Sequence, residues 1–98
     1  MKSLLGGYLR QLRGKESRIL FARRAGLSYT FVREMELGNR RPSDPILVQL
    51  AERLSADPRR MFLYAYCDRS PGLRKVLQDG ELADLWELMP RERPAESR

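Results

Sequence analysis

Apolar residues recur along this chain at helical spacing. Leu4, Leu5, Tyr8, Leu9 and Leu12 fall at i, i+1, i+4, i+5 and i+8, one face of a helix that Gly14 ends. Ser17 is placed to cap a second helix, which runs to about Ala25 and stops at Gly26. Ser28 caps a third, from Tyr29 to Leu37, ended by Gly38. Asn39-Arg40-Arg41-Pro42 is a loop. Ser43 is placed to cap a fourth helix, in which Ile46, Leu47, Leu50, Ala51 and Leu54 repeat the spacing of the first. Asp57-Pro58 pairs an N-cap with a proline at the first helical position and opens a fifth helix through about Cys67. No segment alternates convincingly as a strand does, so the expected class is all-α.

Met61 to Tyr66 is apolar or aromatic almost all round, which predicts burial on more than one side. Ser70-Pro71-Gly72 is a break. Two amphipathic pieces follow, Leu73 to Asp79 and Glu81 to Met89, with Gly80 between them. The expected organisation is a domain over 1–68, a helical extension over 70–89, and a disordered tail over 90–98, where proline and charge dominate.

Charge changes the picture. Residues 1–66 hold 13 Lys/Arg against 6 Asp/Glu, whereas residues 67–98 hold 6 against 7. The basic excess therefore belongs to the first two thirds and points to a polyanionic partner there. The chain has no histidine, which removes the usual general base and the commonest metal ligand. The single cysteine, Cys67, sits in an aromatic segment and reads as a buried structural thiol. An enzyme is not expected, and neither is a cofactor or a metal. No apolar run approaches the roughly 20 residues that span a bilayer, and no stretch has signal-peptide character, so a cytoplasmic location is the default expectation.

Arg18 to Pro42 gives these observations a direction. Helix, sharp turn at Gly26, second helix and basic loop is the layout of a helix-turn-helix that places its second helix in the major groove of DNA. From about Leu4 to Leu63 the chain resembles the Cro/C1-type helix-turn-helix domain of phage repressors and xenobiotic-response-element regulators. The resemblance rests on Phe21-Ala22, Ala25-Gly26-Leu27-Ser28, Val32, Met35-Glu36, Gly38, Arg41-Pro42-Ser43 and Leu50-Ala51-x-x-Leu54. Each is weak alone; their order and spacing make the signal specific. It implies a five-helix, phage-repressor-like domain, here with a short helical C-terminal extension. Within it, Ala22 lies where the two helices cross, Gly26 supplies positive φ, Val32 and Met35 face inward, and Pro42 directs the chain into the fourth helix. Glu36 is implied to be a buried or half-buried acid tied to a nearby basic side chain or backbone.

The resemblance also implies the site. Base contacts would come from Ser28, Tyr29, Thr30, Arg33 and Glu34: hydroxyls, a thymine-facing methyl, a guanine-reading guanidinium and a cytosine-facing carboxylate. For Glu34 an intrahelical arginine partner is the competing reading, and for Tyr29 an exposed ring without a base contact. Phosphate contacts would come from Arg18, Asn39, Arg40, Arg41 and Arg13, with Arg10 and Lys15 flanking. The expected partner is double-stranded DNA, bound by a homodimer acting as a transcriptional repressor or other regulator.

Two features depart from the family pattern. Ile19 and Leu20 stand where polar residues are usual and need a cover. The extension carries the apolar stripes Leu73, Val76, Leu77 and Leu82, Leu85, Trp86, Leu88, Met89 among acidic residues. It folds back on its own domain, forms the dimer interface through Leu82, Leu85, Trp86 and Met89, or docks on another protein through residues 71–89. An interaction module of antitoxin or anti-repressor type, working through these C-terminal helices, is the alternative function. Generic nucleic-acid binding is a further rival, opposed by the mixed outward face of the third helix.

Overall fold

The structure is a computed structural model that describes residues 3–79. These residues form α1 (Leu4–Arg13), α2 (Arg18–Ala25), α3 (Tyr29–Glu36), α4 (Asp44–Leu54), α5 (Pro58–Arg69) and α6 (Pro71–Asp79), with no strand among them. The all-α expectation holds. Leu82, Leu85, Trp86, Met89 and the expected tail over 90–98 lie outside the described residues.

Local chemistry accounts for most helix ends. Ser3, Ser17 and Ser28 each accept a hydrogen bond from the backbone N–H three residues on, at 2.8, 3.2 and 3.1 Å. Asp57, directly before Pro58, accepts from the Arg59 N–H, two residues on, at 2.9 Å. Ser43 occupies the N-cap position of α4 but makes no side-chain cap bond. Asp44 and Pro45 open that helix instead, the carboxylate favoured by the helix dipole and the proline by its fixed φ. α3 ends one residue earlier than its apolar pattern predicts. Leu37 is its C-cap, and Gly38, at φ 82°, lets the Asn39 N–H turn back to the Glu34 carbonyl at 2.8 Å.

α5 runs two residues beyond the expected Cys67, and the break at Ser70 is a single residue between abutting helices. The Ser70 N–H donates to the Tyr66 carbonyl, while its Oγ accepts from the Leu73 N–H at 3.1 Å. Ser70 thereby closes α5 and caps α6, which starts at Pro71, two residues before the first apolar residue of its stripe.

The core is built between the helices. α1 packs on α3 and α5, α2 on α3 and α4, α4 on α5, and α6 on α5. Leu9, Phe21, Val32, Met35, Leu47, Leu50 and Met61 are withdrawn from solvent, and each such burial is worth roughly 1.5–3 kcal/mol. α5 is buried on more than one side, as its composition predicts: Met61, Ala65 and Cys67 are buried, while Phe62, Leu63, Tyr64 and Tyr66 are half-buried. No helix of the described residues is long and apolar enough to cross a membrane.

Cys67 is buried, as its aromatic surroundings predict. Burial, and secondarily the neighbouring Asp68 carboxylate, push its thiol above the ordinary value. Both effects withhold the thiolate that reacts with electrophiles. The native protein at neutral pH should therefore leave Cys67 unmodified by a disulfide reagent over minutes, with stoichiometric reaction once urea unfolds it. Rapid reaction in the native state would contradict the burial.

Candidate nucleic-acid interface

The α2–α3 pair is joined by Gly26-Leu27-Ser28. Gly26 sits at φ 74°, a left-handed conformation that an L side chain rarely adopts. The turn is braced from α4, where Gln49 Nε2 donates to the carbonyls of Ala25 and Gly26 at 3.0 and 3.1 Å. Sequence reasoning did not single out Gln49; its trace is a lone amide among the apolar positions of α4. Ala22 and Ala25 are buried where α2 meets its neighbours.

α3 has two unlike faces. Val32, Met35 and Glu36 are buried. Ser28, Tyr29, Thr30 and Arg33 are exposed, and Glu34 is half-buried. The outer face therefore offers hydroxyl groups and a guanidinium on a rigid, short helix whose inner face is locked to the core. Arg33 Nη1 lies 3.1 Å from Glu34 Oε2, so Glu34 has an intrahelical arginine partner here. Both residues remain on the same surface.

The arginines fall into two groups. Arg40 and Arg41 in the loop after α3 are exposed, and the Arg40 guanidinium lies over the Phe31 ring at 4.8 Å. Asn39 is exposed beside them. These three line an open cleft of about 310 Å³ with Ser3, Asp68 and Arg69. Arg13 and Arg18 instead turn towards Glu36. Arg13 meets it through Nε at 2.9 Å and Nη2 at 3.1 Å, and its Nη1 donates to the Glu16 carbonyl at 3.0 Å. Arg18 Nε donates to Glu36 Oε1 at 2.8 Å. Arg10 Nη1 donates to the Glu36 backbone carbonyl. Glu36 is 1% exposed, and an isolated buried carboxylate would be very costly. Two guanidiniums with good geometry are what make it tolerable. The implied tie between Glu36 and a basic side chain is present, with the two arginines that resemblance assigns to phosphate.

This cluster fixes how the outer face is presented, because it joins α1, α2 and the C-terminal end of α3. Arg13 uses all three of its nitrogens inside it. Arg18 meets it through Nε alone. The Glu36 carboxylate, with the Tyr29 hydroxyl as a lesser contributor, raises the Arg18 guanidinium above its ordinary value against the opposing effect of burial. Arg18 and Tyr29 are therefore neighbours across the two helices.

Gly6 is the other determinant that sequence reasoning missed. A Cβ there would stand 2.5 Å from the Glu36 carbonyl oxygen and 3.0 Å from that of Met35. Its absence lets α1 lie directly against the end of α3. No family model, curated protein or solved structure matches the chain.

Proposed function

We propose that this protein is a sequence-specific, double-stranded-DNA-binding transcriptional regulator, dimeric on a near-palindromic site. The observation that carries this reading is α3. It is a capped helix with its inner face buried and a mixed polar outer face exposed, followed at once by a loop with two exposed arginines. A uniformly basic face would suit any duplex, whereas hydroxyls, a methyl and one guanidinium can distinguish base edges. Ser28, Tyr29, Thr30 and Arg33 are the proposed base-reading residues. Glu34 assists by orienting Arg33 or by accepting from a cytosine amino group.

Asn39, Arg40 and Arg41 are the proposed phosphate contacts, with Arg18 reaching the backbone through its terminal nitrogens. Arg13 stands in that set with three of its N–H groups already given to Glu36 and the Glu16 carbonyl. It also holds α3. A dimer would set two α3 helices in successive major grooves about 34 Å apart. Repression by blocking polymerase needs no more than such occupancy.

Selection of bound duplexes from a random library at near-physiological salt tests the proposal. The expected result is a two-fold-symmetric enriched motif. Changing Arg33 to alanine should relax one position of each half-site, at a discrimination cost of about 1–3 kcal/mol. Changing Arg40 to alanine should weaken all sites alike and lower the salt slope by about one. Salt-sensitive binding with no enrichment would overturn the proposal in favour of generic nucleic-acid binding. No binding at all would favour the interaction module.

A further inference from the structure

Ile19 and Leu20 remain uncovered across residues 3–79, at 58% and 50% exposure. Two adjacent branched aliphatic residues at the start of a helix form an apolar spot on an otherwise polar surface. Arg23 and Arg24 lie one turn further along the same side of α2, and both are exposed. Arg24 meets Glu16 at 2.9 Å, whereas Arg23 makes no ion pair among the described residues. The patch is therefore apolar and basic. α6 does not cover it: α6 packs on α5, while α2 packs on α3 and α4.

The chain contains one segment of complementary character. Glu81 to Met89 holds three acidic residues and no basic one, and its Leu82, Leu85, Trp86 and Met89 recur at i, i+3, i+4 and i+7. Gly80 and Glu81 alone separate Asp79 from Leu82, a reach of about 10 Å when fully extended. A patch and a complementary segment on the same chain can satisfy each other reciprocally between two copies, so that one contact forms twice. We infer that residues 81–89 dock on the Ile19–Leu20 patch of a second copy of this chain, each copy giving its segment and receiving its partner's. Leu82, Leu85, Trp86 and Met89 cover the aliphatic pair, and Glu81, Asp84 and Glu87 face Arg23 and Arg24. The exchange is two-fold symmetric, so it closes at a dimer. It does not depend on DNA binding.

Trp86 is the chain's single tryptophan, so its fluorescence reports this segment alone. The full-length protein should sediment as a dimer with blue-shifted Trp86 emission, and the emission should move to the red as dilution dissociates it. Ile19→Glu/Leu20→Glu changes only exposed side chains. It should raise the dimer dissociation constant roughly a hundredfold and leave Trp86 red-shifted. Ile19→Ala/Leu20→Ala, a milder change, should do the same to a smaller degree, and circular dichroism verifies the fold of both. The deciding step is a mixture. W86A protein has no tryptophan but an intact patch, so adding it to the I19E/L20E protein should blue-shift the remaining emission. No shift in the mixture overturns the exchange. So does a dimer that survives I19E/L20E with Trp86 still blue, which places the segment on another surface. A monomer whose blue emission is lost in I19E/L20E overturns it in favour of docking within one chain.

Discussion

Glu36→Ala lowers the stability of this protein by about 3 kcal/mol, read as a shift of the urea midpoint at unchanged slope. The carboxylate lies among buried side chains, and its removal leaves two guanidiniums facing each other without the charge that brought them together. Breaking a buried ion pair from one side costs roughly 3–5 kcal/mol. The lower end applies because the Arg13 and Arg18 side chains are 20% and 28% exposed and can swing to water. Glu36→Gln keeps the shape and two acceptor lone pairs, so it should lose less than the alanine variant. A loss under about 1 kcal/mol in Glu36→Ala would mean that the cluster contributes little beyond desolvation it must itself overcome. Because the same carboxylate joins α1 and α2 to the end of α3, the alanine variant should also lose hydrogen-exchange protection at Met35 to Leu37 before the rest of the core.

Gly6→Ala and Gly7→Ala should move stability in opposite directions. Alanine in a helix interior is favoured over glycine by about 1 kcal/mol. At Gly7 nothing opposes that gain: the nearest atom to an added Cβ is the Arg10 side-chain end at 3.9 Å. The Gly7 variant should therefore be more stable by roughly 0.5–1 kcal/mol. At Gly6 the added carbon meets backbone, the Glu36 carbonyl oxygen at 2.5 Å, and backbone cannot rotate aside. α1 must lift away from α3, and overpacking of this kind costs about 1–3 kcal/mol. A net loss of about 2 kcal/mol is expected after the propensity gain. Equal midpoints for the two variants would show that α1 is not seated on α3 as closely as described.

Those two positions also show which interactions a sequence discloses. Ser17, Ser28, Asp57 and Pro58 announce helix starts because a cap acts over three residues, within the reach of local pattern. Gly26 and Gly38 announce turns because positive φ is a local demand. Val32 and Met35 are inward, as the resemblance implies. The partners of Glu36 could not, since Arg13 and Arg18 are 23 and 18 residues away and which of several arginines arrives is decided by how helices cross. Gly6 carries no local signal because its reason lies 30 residues on, at Glu36. The same holds for Gln49, whose acceptors lie on α2 and its turn. Of the outward face, the set Ser28, Tyr29, Thr30 and Arg33 came with the resemblance and an arginine partner for Glu34 was a competing reading, whereas the placing of Arg40 over Phe31 depends on how the loop folds back. The cover over Ile19 and Leu20 expected from the departure at those positions is not supplied by α6.

Asp68 ties the two ends of the described fold together. Its carboxylate accepts from the Ser3 hydroxyl at 2.7 Å and from the Leu4 and Leu5 N–H groups at 2.7 and 3.1 Å. The opening turn of α1 is thus satisfied by a residue 64 positions downstream of Leu4. During synthesis α1 must wait, with its first amides in water, until almost the whole domain has left the ribosome. A chain cut short within α5 would loosen the first helix along with the last. The domain then has one point of completion: fragments that stop before it keep the Ser3 cap and the α3 contact, but the Leu4 and Leu5 amides are left without their carboxylate.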